Sequence, residues 1–420
     1  MRRGLPYFLL FSIYAIVNTY LPIMLRTFGF SAVEIGILLS IIEIAGVCVP
    51  FFITAQLDKT GQYGWVMCIF GLDVALLLLP LLRFRSFFIA AICLGIFAAG
   101  FKGLVPVLDG FTAKALGQHD VQYGKIRSLG SVGFVCSSLF LQLSPLISGQ
   151  RPVSVIIGVS TGALLFVATL RLVPDLRRIA LTGAGLDVRH KRSDAHSAAG
   201  DVCEVKPTAA ESVPVVDEAA VNPSAGGAGG SAAHVTGAAF PKPFWECLVL
   251  IFLAFLGLVP CQRFFSLYVE EYVKLDASAG LWALSAMAEI PMMIISGKLI
   301  RRFGRERLLA VCLFSITVRN LSYVIFPGIS GAVIGQLLHS LSFGLFHPLS
   351  VLLCVSHSSG RTATSMMFFT AVNGAANVIG SAVGGYIIEY AGYPALFLFF
   401  GLFPLIGVTL YFFVMHKTLR

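Results

Sequence analysis

The sequence predicts an all-α membrane protein with twelve transmembrane helices in two pseudo-symmetric six-helix bundles. Three observations predict it. Hydrophobic residues fill 57% of 420 positions and charged residues only 12%, against about 25% charged in a soluble domain. Apolar stretches of about twenty residues recur, six in 5–172 and six in 244–415, each long enough to cross roughly 30 Å of hydrocarbon. The basic residues then cluster on one side of every crossing.

Backbone groups in lipid must be satisfied within their own segment, so the apolar stretches are helices, and the alternating pattern of a membrane barrel is absent. The expected spans are 5–27, 33–57, 64–83, 87–110, 124–147 and 152–172. The second set is 244–269, 278–300, 307–327, 330–355, 361–388 and 393–415. Arg2 and Arg3 precede a first run that continues past Tyr14, Asn18 and Pro22 without a small-residue cleavage site. It reads as a first helix starting in the cytoplasm and not as a signal peptide.

The net charge of +9 does not point to nucleic acid, because of where it lies. With the N-terminus inside and twelve crossings, cytoplasmic segments hold 22 of the 30 Lys and Arg. External loops hold five (Arg26, Arg83, Arg85, Arg151, Lys274), and Lys102, Arg263 and Arg319 lie within helices. That asymmetry is the positive-inside rule, placing both termini in the cytoplasm of a multi-pass inner-membrane protein. The nine cysteines have neither zinc-type spacing nor evident disulfide partners, and read as small buried hydrophobes.

Three regions follow: 1–173 as an N-terminal six-helix bundle, 174–243 as a disordered cytoplasmic linker, and 244–420 as a C-terminal six-helix bundle. The linker begins basic, turns rich in Ala, Gly and Ser, and carries no aromatic residue before Phe240 to build a core. The two halves echo each other. Asp58 and Gly61 follow the second helix, as Gly297, Gly304 and Arg305 mark the end of the eighth, and each of these helices carries one acid, Glu43 and Glu289. Duplicated halves facing a central cavity are the architecture of alternating access.

An ionisable side chain at mid-bilayer costs about 2.5–3.5 kcal/mol on insertion scales, so it is retained where it faces a wet cavity or a partner. Glu43, Asp73, Lys102, Asp109, Arg263, Glu289 and Arg319 fall in apolar runs, with Arg127 at the start of the fifth helix. Four acids against four bases suggest pairing around a shared interior. Such pairs also hold helices in register, and desolvation often cancels their attraction. Eight in one chain exceed what packing requires. Asp109 and Arg127 face each other if the fourth and fifth helices are antiparallel neighbours, and such a pair can switch between internal pairing and bonding to a polar solute. Asn373 and Asn377 share a face of the eleventh helix.

The run Tyr123-Gly124-Lys125-Ile126-Arg127, with an acid eighteen residues before Arg127, resembles the lactose permease-like and phenylpropionate porter branch of the major facilitators. The resemblance covers nearly all of the chain outside 174–243. It implies solute contact at Asp109 and Arg127, with Asp in place of Glu, and it extends to Glu289 with Arg319 and to His339 with His347. The carboxylate expected three positions after the helix-ten histidine is Ser342 here, so a coupled proton needs another acceptor. Glu43, Asp73 and Glu289 are the candidates, with Glu289 favoured, Arg319 as its alternate partner, and His339 as a shuttle.

No phosphate-binding loop, nucleophile–base array, metal set or dinucleotide fingerprint is present, so the expectation is a transporter and not an enzyme, without a cofactor. The expected activity is secondary transport of a small polar or anionic organic solute, with a proton, by a monomer in the bilayer. Lys102, Arg263, Asn373 and Asn377 join Asp109 and Arg127 as candidate substrate contacts. Proton-coupled efflux and a non-transporting receptor or scaffold on the same fold are the alternatives.

Overall fold

The structure is a computed structural model and describes residues 4–116, 120–173 and 240–415. Within those ranges the side chains of residues 50, 51, 54–56, 58, 59, 120–122, 414 and 415 lie outside the described residues, that of the loop-motif residue Asp58 among them. The expected disordered linker lies, except for its last four residues, outside the described residues.

The first half comprises α1 (Leu5–Thr27), α2 (Ala32–Thr60), α3 (Tyr63–Leu76, extended by a 3-10 turn, Leu79–Leu82), α4 (Phe87–Leu116), α5 (Asp120–Leu143) and α6 (Pro152–Leu170). The second comprises α7 (Lys242–Val273), α8 (Ser278–Phe303), α9 (Arg305–Ile325) and α10 (Ile329–Ser356). Its last 49-residue helical run, Thr362–Leu410, is broken at Gly392 (φ 78°), giving α11 (362–391) and α12 (393–410). Twelve helices therefore form two six-helix bundles, and most ends fall within a few residues of those expected. Among the larger differences, α4 runs six residues further, α5 lies four residues earlier at both ends, and α7 ends four residues later.

Local chemistry sets the ends. Ser31 and Glu34 form a capping box at the start of α2, so the first free amides of that helix are satisfied. The helix stops at Gly61 in the left-handed region, and α8 stops at Gly304, again at positive φ. Both are conformations glycine adopts without a Cβ penalty. The two motif copies thus share a glycine stop, whereas Gly297 lies inside α8 and Arg305 opens α9.

The helical ladder widens into π-turns at Tyr268–Val273, at Tyr411–Met415 and at two places that bear site residues. In α7 the site-bearing turn spans Pro260–Phe264, where a proline lacks the amide that an α ladder needs. In α10 it spans Ser340–Leu345. Such turns re-aim side chains and recur at functional sites. These two bear Arg263 and Ser342, the latter just after His339.

The halves meet along two seams. On α2 and α11, a Cβ at Gly36 would fall 2.4 Å from the Ser381 carbonyl oxygen, and one at Gly385 would fall 2.3 Å from that of Ala32. The backbones therefore touch, and Ser40 donates across the seam to the Val378 carbonyl at 2.8 Å. On α5 and α8, the Gln142 amide accepts from the Gly280 amide at 2.8 Å and donates to the Asp276 carbonyl at 2.9 Å. Near the same end of the bundle Arg26 pairs with Glu271 at 2.7 Å, Gln150 bonds Glu270, and Glu389 accepts from the Ala32 amide at 2.8 Å. This end, carrying the α1–α2, α5–α6, α7–α8 and α11–α12 connections, is closed by contacts between the halves.

Candidate functional site

One face of α1 lines the interior with Tyr7, Phe11 and Tyr14, spaced so that they stack along the helix. Tyr14 packs on Phe101 of α4 at 4.1 Å between ring centres and donates to its carbonyl at 3.0 Å. Phe11 lies against Gly130 of α5, whose missing side chain leaves the ring its place.

The first polar cluster joins α1, α4 and α5. Tyr7 donates to Asp109 Oδ1 at 2.7 Å, and Arg127 Nε lies 3.5 Å from the same oxygen. The Arg127 side chain is 43% exposed and Asp109 is 16% exposed, so the pair faces open space. α4 and α5 do bring Asp109 and Arg127 opposite each other.

The second cluster spans the two halves. Glu43 Oε1 on α2 lies 2.8 Å from Lys102 Nζ on α4 and 2.8 Å from Arg263 Nη2 on α7. Gly46, one turn after Glu43, gives the Lys102 stem room to lie across α2. Arg263 Nε donates to Asn377 Oδ1 at 3.1 Å, and the Asn377 amide donates to Asn373 Oδ1 at 2.8 Å. Residues separated by more than three hundred positions, two of them assigned by sequence to different tasks, form one site.

The third cluster is within the second half. Arg319 is fully buried. It donates to Tyr323 at 3.2 Å, Ser342 at 3.1 Å and Gln336 at 3.0 Å, and its Nη1 lies 2.9 Å from His339 Nδ1. A guanidinium has donors only, so Nδ1 accepts and the ring proton sits on Nε2. That nitrogen lies 3.5 Å from Glu289 Oε2. Gly344 makes room for the Glu289 stem. Glu289 and Arg319, expected from the sequence as alternate partners, are not in direct contact here; His339 stands between them.

Asp73 accepts from the Gly100 amide at 2.9 Å, in the contact of α3 with α4 inside the first half. Phe264, Phe265 and Tyr268, beside Arg263, are fully buried in the core of the second half. His347 is packed between the rings of Phe343 and Phe369. Sequence reasoning missed Tyr7, Tyr14, Gln336 and Tyr323. For the first two, the helical spacing of aromatics in α1 is the signal that was available.

A polytopic bundle of two six-helix halves enclosing charged clusters defines a transporter of the major facilitator class. The sequence profile of the MFS_1 like family matches residues 3–399, and the chain belongs to that family; it is a transporter family and not one of enzymes. The maltose permease of Geobacillus stearothermophilus is 29% identical over 177 residues, 41% of this chain and 45% of that protein. Multidrug resistance protein 2 of Bacillus subtilis (strain 168) is 22% identical over 175 residues, 40% of this chain and 43% of that one. The matches span less than half the length of these curated relatives. Among solved structures, the nucleoside transporter NupG superposes with a TM-score of 0.70 at 15% identity, covering 98% of this chain and 97% of that one. An auto inhibited POT family peptide transporter superposes with a TM-score of 0.67 at 13% identity, covering 99% and 96%. At such identities these likenesses show the fold alone.

Proposed function

We propose that this chain is a monomeric proton symporter that carries a small polar or anionic organic solute across the inner membrane by alternating access. One observation supports this reading above the others. A buried carboxylate of the first half, Glu43, is held at once by a cation of its own half, Lys102, and by one of the other, Arg263. An ion pair across the moving interface changes partners when the halves rock, so solute and proton binding at it can bias the two states. The basic-residue distribution puts the termini in the cytoplasm, and in that orientation the closed end is external and the interior opens inward.

In this reading Asp109 and Arg127 contact the solute, with Lys102, Arg263, Asn373 and Asn377 deeper in the cavity. Glu289 exchanges the proton through His339, whose Nε2–H faces it and whose other nitrogen is held by Arg319. Protonating Nδ1 requires Arg319 to let go, which ties proton movement to rearrangement of α9 and α10. Glu43 is a second carboxylate suited to exchange. Asp73, held by the Gly100 amide in the α3–α4 contact, is the third candidate acceptor.

The test is pH recording in lightly buffered, de-energised cells challenged with aromatic acids, sugars and nucleosides. External alkalinisation on adding one of them, lost in Asp109→Asn and Glu289→Gln, is the expected result. Acidification on solute addition points to efflux by antiport. Coupled flux that survives neutralising Asp109, Arg127, Glu289 and Arg319 together overturns the reading.

A further inference from the structure

Building on the transport reading of the same site, we propose that Lys102 and Arg263 form the seat of a carboxylate on a monoanionic solute, and that Glu43 fills this seat as an internal substitute. Both cations converge on a single oxygen, Glu43 Oε1, at 2.8 Å each. One carboxylate therefore serves two cations, and the site holds one positive charge in surplus.

Nothing else beside Glu43 neutralises it among the described residues. From α1 the titratable neighbour is Tyr14, whose hydroxyl is bonded to the Phe101 carbonyl. From α4 it is Lys102, from α7 Arg263, and from α11 the polar neighbours are Asn373 and Asn377, which are uncharged. The nearest acid along α4, Asp109, is already bonded by Tyr7 and Arg127. A cation with little access to water needs a counter-charge, and an anionic solute supplies one.

Geometry selects a carboxylate. The planar guanidinium of Arg263 offers paired N–H groups that match two carboxylate oxygens, and Lys102 adds a point charge. The stacked rings of Phe11 and Tyr14, 5.7 Å apart and backed by buried Phe101 at 4.1 Å from Tyr14, form an apolar shelf beside the cations for a planar body. Lys102 belongs to the first half and Arg263 to the second, so an anion seated here touches both.

Exchange at this seat moves a proton. A solute carboxylate reaching the same donors displaces Glu43, which is 7% exposed. A displaced carboxylate left buried without its cations is costly, so it takes up a proton as it leaves. The bonds broken are Glu43 to Lys102 and Arg263; those formed are the solute carboxylate to the same two groups and O–H on Glu43. The proton comes from water in the open cavity. Anion binding and protonation of Glu43 thus occur together.

The experiment is binding of radiolabelled benzoate to the purified full-length chain in detergent, with benzamide as the neutral analogue. Wild type is expected to bind benzoate more tightly at about pH 5.5 than at about pH 8, by up to tenfold per pH unit for one linked proton. E43Q, with the seat vacated, is expected to bind it equally at both pH values and more tightly than wild type at the higher. K102Q abolishes binding, R263K weakens it by about tenfold through loss of the fork, and benzamide does not compete. The proposal is overturned if E43Q, with a wild-type unfolding profile, binds no benzoate or keeps the pH dependence. It is overturned equally if benzamide competes as well as benzoate, or if wild type binds neither at the lower pH. Solute-driven proton uptake in vesicles, measured separately, reports on transport: wild-type flux persisting in E43Q sinks this inference alone, whereas benzoate binding without any flux sinks the transport reading alone.

Discussion

Arg26 of α1 and Glu271 of α7 are bonded at 2.7 Å across the two halves, and the second carboxylate oxygen of Glu271 accepts from Tyr393 of α12 at 2.6 Å. One glutamate thereby ties the first helix to both edges of the second half at the closed end. The Arg26 side chain is 38% exposed, so the pair alone contributes little, about 0–1 kcal/mol.

Glu271→Gln is expected to raise the population opened at this end by a few-fold, corresponding to about 1 kcal/mol for the pair and the tyrosine bond together. A cysteine placed at buried Ile23, in a background freed of other cysteines, reports it through labelling by an impermeant maleimide from outside. An unchanged labelling rate would show that the α2–α11 seam holds the end shut without the latch.

That seam makes a prediction of its own. A side chain at Gly36 meets backbone, the Ser381 carbonyl, which cannot swing aside. Gly36→Val therefore wedges the halves apart at this end, at an overpacking cost of about 1–3 kcal/mol in the closed form. The same labelling assay reads faster modification than in Glu271→Gln, and slower modification than wild type would contradict the wedge.

Tyr7→Phe removes one hydrogen bond to Asp109 and leaves the ring in place. The expected effect is a loss of about 1 kcal/mol in solute affinity, close to a factor of five, with the unfolding midpoint near that of wild type. Asp109→Asn, which also releases Arg127, loses more. Equal affinities in wild type and Tyr7→Phe would mean that Tyr7 serves packing only.

Arg319 gives the steepest stability prediction. Arg319→Met leaves Gln336, Tyr323 and Ser342 buried without the donor they share, at about 1–3 kcal/mol for each unsatisfied group. The unfolding midpoint should fall sharply, and Arg319→Lys should not restore it, because an ammonium cannot reach four partners spread around a planar fork. His339→Gln keeps an acceptor for Arg319 and should retain stability while diminishing proton uptake on solute binding, measured with an indicator dye in weak buffer. Preserved proton uptake in His339→Gln would remove the histidine from the path.

Much of this was legible in the chain itself. A run such as Phe87–Leu116 has no soluble alternative, and the eight ionisable positions stood out because lipid excludes them. What the sequence left hidden is partner choice. Lys102 and Asp109 lie on a similar face of α4, yet one reaches α2 and the other α1 and α5, a distinction set by the room at Gly46 and by the Tyr7 hydroxyl. Asp73 looks like any other buried acid, and only the placement of α3 against α4 gives it the Gly100 amide as a partner. Phe264, Phe265 and Tyr268 lie in the core while their neighbour Arg263 reaches Glu43, at a π-turn that no propensity foretells.

Three connections at the closed end are very short: residues 28–31 join α1 to α2, 274–277 join α7 to α8, and Gly392 alone separates α11 from α12; the α5–α6 connection, 144–151, is eight residues. An antibody or nanobody needs about 800 Å² on its target, more than any of these turns presents. A binder raised against this surface must grip the tips of helices from both halves at once. It would therefore recognise their mutual arrangement and not a peptide epitope, and would serve as a clamp that freezes the carrier with its outer mouth shut.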